Sequence, residues 1–459
     1  MILKNLHKYS SFISQYTELR VQENRSLNIT FLNGNLVGNA KDITNGVSAR
    51  TYKGGSWGFA SSAEVDEESI KAVIKAASDN AVFLDSREKR NKPFFNGTAD
   101  SFEKNFGTQK SRLSQQEIMD FIREIDSYMA SKYPNLSERV VSLRCLDMEK
   151  SLITSDGASL YSLLPRSNFI VSMTIEKNGE PISIFDVFGG LGQFEDNFTS
   201  PKDFYKKIDS LYEHLVNKSE GVYAEAGLKE CVLHPNLAGI LAHEAIGHTT
   251  EADLVLGGSI AGSYMNKQVA SPLVSLVDYA HTYKGEICPV PIFMDDEGTT
   301  AEDVVIIENG ILKGYMHNKE SARHFGDAPK GNARAFKFND EPLIRMRNTA
   351  ILPGTSKLED MIASIEDGYY LMNTNNGQAD TTSEFMFGIV LGYEIKNGKL
   401  GRAIKDTTIS GIAFDVLKST TMVSDDMVWL NGGMCGKKQP ITVGMGGPAI
   451  KCKVNIGGR

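Results

Sequence analysis

Five Asn-Gly or Asp-Gly dipeptides sit between paired apolar or alternating runs, at Asn33-Gly34, Asp156-Gly157, Asn178-Gly179, Asn309-Gly310 and Asn397-Gly398. A type I′ turn needs φ > 0 at both central residues, and these dipeptides tolerate it, so each predicts a tight hairpin between neighbouring strands. The flanking stretches ITFLNGNLVG, SLITSDGASLYS, VSMTIEKNGEPISIF, VVIIENGILKGYM and LGYEIKNGKL read accordingly as strand pairs. The sheets are expected to be largely antiparallel.

Helices are fewer and carry their own start signals. Asp66 is placed to cap a run with Ile70, Val73, Ile74 and Ala77 on one face, and Ser114 with Glu117 forms a capping box before Ile118, Phe121, Ile122 and Ile125. Ser200-Pro201 with Asp203 opens a third, ahead of Phe204, Ile208, Leu211 and Leu215. Hairpins and helices come in blocks and not in strict alternation, which predicts an α+β fold. The polar stretch 88–111 reads as a surface connection. The segment NKSEGVYAEAG (217–227) reads as the boundary between an N-terminal α+β domain (1–220) and a C-terminal β-rich, antiparallel-sheet domain (221–459) that holds every chemically suggestive motif.

With 459 residues, 41% hydrophobic and 23% charged, the composition is that of a soluble globular protein. A net charge of -8 and a pI near 5.6 provide no field for a phosphate backbone, so direct nucleic-acid binding is not expected. The first residues lack the apolar stretch of a secretory signal, and no later run reads as a membrane span. A cytoplasmic protein is expected. Five scattered cysteines, without a C-x-x-C pair, do not indicate a disulfide framework. Cys145, Cys231, Cys288 and Cys452 read as core residues.

The chemistry concentrates in LAHEAIGHTTEAD (241–253). Zinc hydrolases commonly carry H-E-x-x-H, whose histidines share one helix face. Here His243 and His248 are five apart, and on an ideal helix they point about 140° away from each other. Either a π-bulge brings i and i+5 together, or the helix ends at Gly247 and a left-handed glycine swings His248 back. Glu244 points to a neighbouring face, where a general base belongs. Glu251 and Asp253 could orient a ligating imidazole from behind. A catalytic zinc site needs a third protein ligand and an open position. In WLNGGMCGKK, Cys435 is flanked by Gly432, Gly433 and Gly436, and its thiolate suits a soft third ligand. A buried cysteine in a glycine-rich turn would look the same. MDDEGTTAED (294–303) lacks EF-hand spacing and reads as an acidic turn and not a cation site.

Taken together, HEAIGHTTEAD, DDEGTTAEDVVIIENGILKGYMHNKESARHFG (295–326), PLIRMRNTAILPG (342–354) and GGMCGKK resemble the TldD/PmbA family of metallopeptidases, of the catalytic TldD type. The early stretch 33–62 is similar to that family's N-terminal domain. The resemblance implies Zn2+ held by His243, His248 and Cys435, with Glu244 as general base. It further implies peptide-bond hydrolysis on oligopeptides or unfolded chains, inside a homodimer or a heterodimer with a PmbA-like paralogue. The gyrase modulation once ascribed to the family would then be indirect, through proteolysis. Thr249, Thr250 and Ala252 stand where many relatives carry glycine. An extended peptide could add to a sheet edge, with VVIIENGILKGY and the GGMCG approach as candidate edges. Two other readings stay open: a non-catalytic peptide-binding protein with a structural metal, and a cysteine hydrolase using Cys435 with His243 or His248.

Overall fold

All five dipeptides join antiparallel neighbours. At the four Asn-Gly turns both residues lie at positive φ, from 46° at Asn309 to 84° at Gly34. At Asp156-Gly157 only the glycine does, at 105°, because the loop between Thr154 and Ser159 is wider. The structure is a computed structural model that describes residues 5–457 apart from 91, 93–96, 98 and 431. Those exceptions include part of the expected 88–111 connection.

The first sheet contains β1 (Thr17–Leu32), β2 (Asn35–Lys53), β3 (Ser56–Ser62), β4 (Ser101–Asn105), β5 (Glu138–Thr154), β6 (Ser159–Lys177) and β7 (Glu180–Leu191). Its order is β3-β2-β1-β5-β6, and β7 (antiparallel) and β4 (parallel) share the far edge of β6. Alternate residues face one side of a strand, and one such set, Ile29 and Phe31 with Val141, Leu143, Phe169 and Val171, is buried. Against it pack α2 (Gln115–Lys132), through Ile118, Phe121, Ile122 and Ile125, and the helix Tyr205–Ser219, through Ile208, Leu211 and Leu215. The caps are as the sequence predicts. Asp66 accepts the Ser69 N–H ahead of α1 (Glu67–Glu88), and Ser114 and Glu117 form their reciprocal pair.

After residue 226 the chain builds two further sheets of seven and six strands among the described residues, beside smaller two-stranded ones. In one, strands 367–379, 227–233, 450–456, 407–412 and 384–396 follow each other, and the last also pairs with the first, so the sheet closes on itself. The other has six strands and ends at Val428–Leu430, which among the described residues pairs only with Gly444–Gly447. The largest core cluster joins Leu237, Leu241 and Ile246 from the His-Glu segment to Phe387, Ile409 and Val454 of the closed sheet. The mixed, mainly antiparallel α+β architecture agrees with the sequence reading.

The acidic turn is present, and its carboxylates Asp295, Asp296 and Glu297 are buried. Asp295 accepts N–H groups from Glu297, Thr299 and Ala333. Asp296 pairs with Lys150 at 2.8 Å and Glu297 with Arg50 at 2.6 Å, both bases coming from the first sheet. Such buried pairs cost desolvation and hold only with good geometry. Here they fix the His-Glu half against β1, β2 and β5.

Candidate metal centre

His234 starts the site. Its Nδ1 accepts the Asn236 N–H at 3.1 Å and caps the helix Pro235–Leu241. That helix lies directly on the strand Gly444–Gly447, since a Cβ at Gly239 would come within 3.0 Å of the Gly446 nitrogen. From Ala242 to Gly247 the helix widens into a π-turn, with the His248 N–H donating to His243 O five residues back. Of the two local solutions, the chain takes the π-bulge. Gly247 stays helical at φ -56°, so its role is space and not left-handedness: a Cβ there would meet Met346 Sδ at 2.0 Å.

The inserted residue turns both histidines to one side, with ring centroids 5.2 Å apart and planes at 77°. A π-turn leaves carbonyls without their usual donors. The hydroxyls of Thr249 and Thr250 supply them, to Ile246 O at 2.8 and 3.0 Å, and Thr250 also reaches Gly247 O at 3.0 Å. Thr249 and Thr250 thus have a structural task beside the π-turn.

Cys435 arrives on a short hairpin in which Met434–Cys435 pairs with Ile441–Thr442. The fully buried Arg345 clamps it, donating to Cys435 O at 2.9 Å, Lys437 O at 3.2 Å and Gln439 O at 2.8 Å. Cys435 Sγ lies 3.2 Å from His248 Nε2. One donor atom from each of His243, His248 and Cys435 falls within 4.8 Å of the others. Burial disfavours a thiolate, but the two imidazoles outweigh it and hold the Cys435 thiol down at about 3. Burial likewise opposes charge on His248, while Glu251 and Cys435 raise it to about 10.

Behind His248, Glu251 Oε2 meets Nδ1 at 2.8 Å and also Lys437 Nζ at 3.1 Å. Asp253 does not reach an imidazole and pairs with Lys437 instead, at 2.7 Å. Glu244 is on the open side, its Oε2 3.8 Å from His248 Nε2. It lines a cleft of about 900 Å³ whose walls include Phe185, Phe188, Trp429, Gly433 and Met434. The cleft thus receives the GGMCG approach. No residue of 304–315 lines it, so of the two candidate edges for an added peptide VVIIENGILKGY lies away from this cleft.

The donor set tests well for a metal. His243 is fully buried and neither ring nitrogen has a hydrogen-bond partner among the described residues. A buried ring nitrogen left without a partner is costly, and an ion at the cluster would satisfy the one that His243 offers to it. Two imidazoles and a thiolate suit zinc.

Residues 227–458 match the family described as PmbA/TldA metallopeptidase C-terminal domain, and residues 17–81 match its domain 1. A metalloprotease TldD homolog of Buchnera aphidicola is 34% identical, across 90% of this chain and 86% of its own. The chain belongs to the PmbA/TldD metallopeptidase family. A protein named zinc metalloprotease TldD homolog, from Saccharolobus solfataricus, is 27% identical over 91% of this chain and 90% of its own. Among solved structures, a Thermotoga maritima protein described as a candidate modulator of a DNA gyrase has a TM-score of 0.79, with 20% identity and 96% of each chain covered. TldE from Thermococcus kodakarensis gives 0.72 at 17% identity, with 99% of each chain covered. At these identities the two structures speak to the fold alone.

His243, Glu244, His248 and Cys435 therefore come together as a group. Sequence reasoning missed Arg345, Met346 and Lys437. The only signal was the odd run IRMR, in which two arginines alternate with apolar residues in a buried strand pattern.

Proposed function

We propose that this protein is a zinc-dependent peptidase that hydrolyses peptide bonds of oligopeptides or unfolded polypeptides. The observation that supports this reading most is the position of Glu244, beside the three-donor cluster and open to the cleft. A structural metal site closes its coordination with protein ligands and leaves no use for such a carboxylate.

His243, His248 and Cys435 would hold the ion. Bound zinc supplies Lewis acidity to water and to a peptide carbonyl. Glu244 takes the proton from the attacking water and passes it to the leaving amine, a role that suits a carboxylate at the edge of the site. Glu251 fixes the orientation of His248 by accepting from Nδ1. A peptide in extended form adds to the terminal strand Val428–Leu430, whose residues line the cleft. Phe185, Phe188, Trp429 and Met434 offer apolar contacts to its side chains. Flexible chains fit such a mode better than folded loops.

The working form we infer is a homodimer or a heterodimer with a PmbA-like paralogue, in the cytoplasm. No helix among the described residues is long and apolar enough to cross a membrane. Glu244→Gln tests the reading: cleavage of an unfolded peptide should be lost while zinc content stays at the wild-type level. Retained cleavage would remove Glu244 from the chemistry.

One observation favours a second reading. Cys435 Sγ, His248 and Glu251 also line up as nucleophile, base and orienting carboxylate. Cleavage that survives chelation and is stopped by iodoacetamide would support that cysteine hydrolase. Against it, the second imidazole of His243 has no task in a triad.

A further inference from the structure

Both ring nitrogens of His248 are engaged through one hairpin. Nε2 faces Cys435 Sγ at 3.2 Å, and Nδ1 meets Glu251 Oε2 at 2.8 Å. That same carboxylate oxygen is 3.1 Å from Nζ of Lys437, two residues beyond Cys435. The side chains of Cys435, His248, Glu251 and Lys437 close a ring whose last link is the backbone of the hairpin itself.

We propose that Lys437 is a positioning residue for the metal centre, locking the hairpin that carries the thiol onto the helix end that carries the imidazoles. The inference rests on the zinc reading above and adds to it how the third donor is held in register with the other two. An ordinary surface ion pair would not serve. The Lys437 side chain is 11% exposed, and Nζ also donates to Ile344 O at 3.1 Å and to Asp253 Oδ1 at 2.8 Å. The Glu251 side chain has no exposure, and its other oxygen has no partner among the described residues.

Removing the ammonium leaves that buried carboxylate with the imidazole as its single polar contact. A buried charge stripped of its counter-charge is strongly disfavoured, so Glu251 turns away or draws in water. Either response frees the His248 ring. It also frees the hairpin from its second attachment, so the thiol and the imidazoles lose their shared register. Asp253 is different: its side chain is 39% exposed, and it pairs with Lys437 without reaching His248.

The test compares full-length wild type with Lys437→Met, Lys437→Gln, Lys437→Arg and Asp253→Asn. Zinc affinity is read by competition with a chromophoric chelator, and thiolate coordination by the charge-transfer band of the cobalt-loaded protein. In the metal-free protein, the rate of iodoacetamide attack is read on the Cys435 peptide. Lys437→Met and Lys437→Gln should weaken zinc by about 10–100-fold, the size of other outer-shell losses. They should diminish the cobalt band and speed alkylation of Cys435, which is 3% exposed in the intact site. Lys437→Arg should restore most of the affinity, and Asp253→Asn should keep the wild-type value. Wild-type affinity and alkylation rate in a folded Lys437→Gln would overturn the proposal. If wild type binds no zinc and yet loss of the ammonium exposes Cys435, the lock stands and the zinc reading falls.

Discussion

Gly247→Ala sets two opposing effects at one position. Its φ of -56° is helical, so alanine gains about 0.5–1 kcal/mol in backbone preference. Against this, the new Cβ would lie 2.0 Å from Met346 Sδ and 3.0 Å from its Cε. Ordinary carbon contacts fall near 3.5–4 Å, so the sulfur has to retreat by roughly 1.5 Å. Met346 is 1% exposed, between the anchored Arg345 and Arg347, and has little room to do so. Overpacking costs about 1–3 kcal/mol, a displacement this large in a confined core falls at about 2–3 kcal/mol, and the clash then outweighs the helical gain by about 1–2 kcal/mol. Urea unfolding followed by circular dichroism, in excess chelator so that bound metal adds no stability, measures the net. Met346→Ala alone should lose about 2–5 kcal/mol to its cavity. The double variant should be less destabilised than the two losses together, by about 1–2 kcal/mol, because the new methyl enters that cavity. A Gly247→Ala protein as stable as wild type, or strictly additive losses in the double variant, would refute the spatial explanation of this glycine.

Arg345→Met removes donors to three carbonyls of the Cys435 hairpin. At about 1 kcal/mol for each bond, it should destabilise by about 2–4 kcal/mol in thermal unfolding and lower metal content with it. Chelation should lower the thermal midpoint of wild type, since ligand at about a hundredfold over its Kd adds about 2.7 kcal/mol to the folded state. Cys435→Ala should show a much smaller chelator shift in the same calorimeter.

The hairpins were legible because their requirement is local: an Asn-Gly pair at positive φ suits a tight turn regardless of what surrounds it. The caps at Asp66 and Ser114 were legible for the same reason. At the His-Glu segment the sequence narrowed the geometry to two solutions and stopped there. The need for a glycine there comes from Met346, about a hundred residues away, which fills the space beside Gly247. Arg345 and Lys437 were illegible because their partners lie 90 or more residues off. MDDEGTTAED showed a turn, yet nothing local reveals that Asp296 and Glu297 are buried against Lys150 and Arg50. The 304–315 hairpin was correctly read as a hairpin, and Ile311–Leu312 does end the six-stranded sheet, but at the opposite end from the strand that lines the cleft. Strand pairing across a turn is a local property, whereas the order of strands in a sheet is not.

Metal content of wild type beside Cys435→Ala, after dialysis against a weak chelator, bears most directly on the three-donor centre. With His243, His248 and Cys435 as the ligands, wild type should retain about one zinc per chain, and the variant, left with two imidazoles, should lose most of it. Zinc kept at the wild-type level in Cys435→Ala would contradict the role assigned to that thiolate.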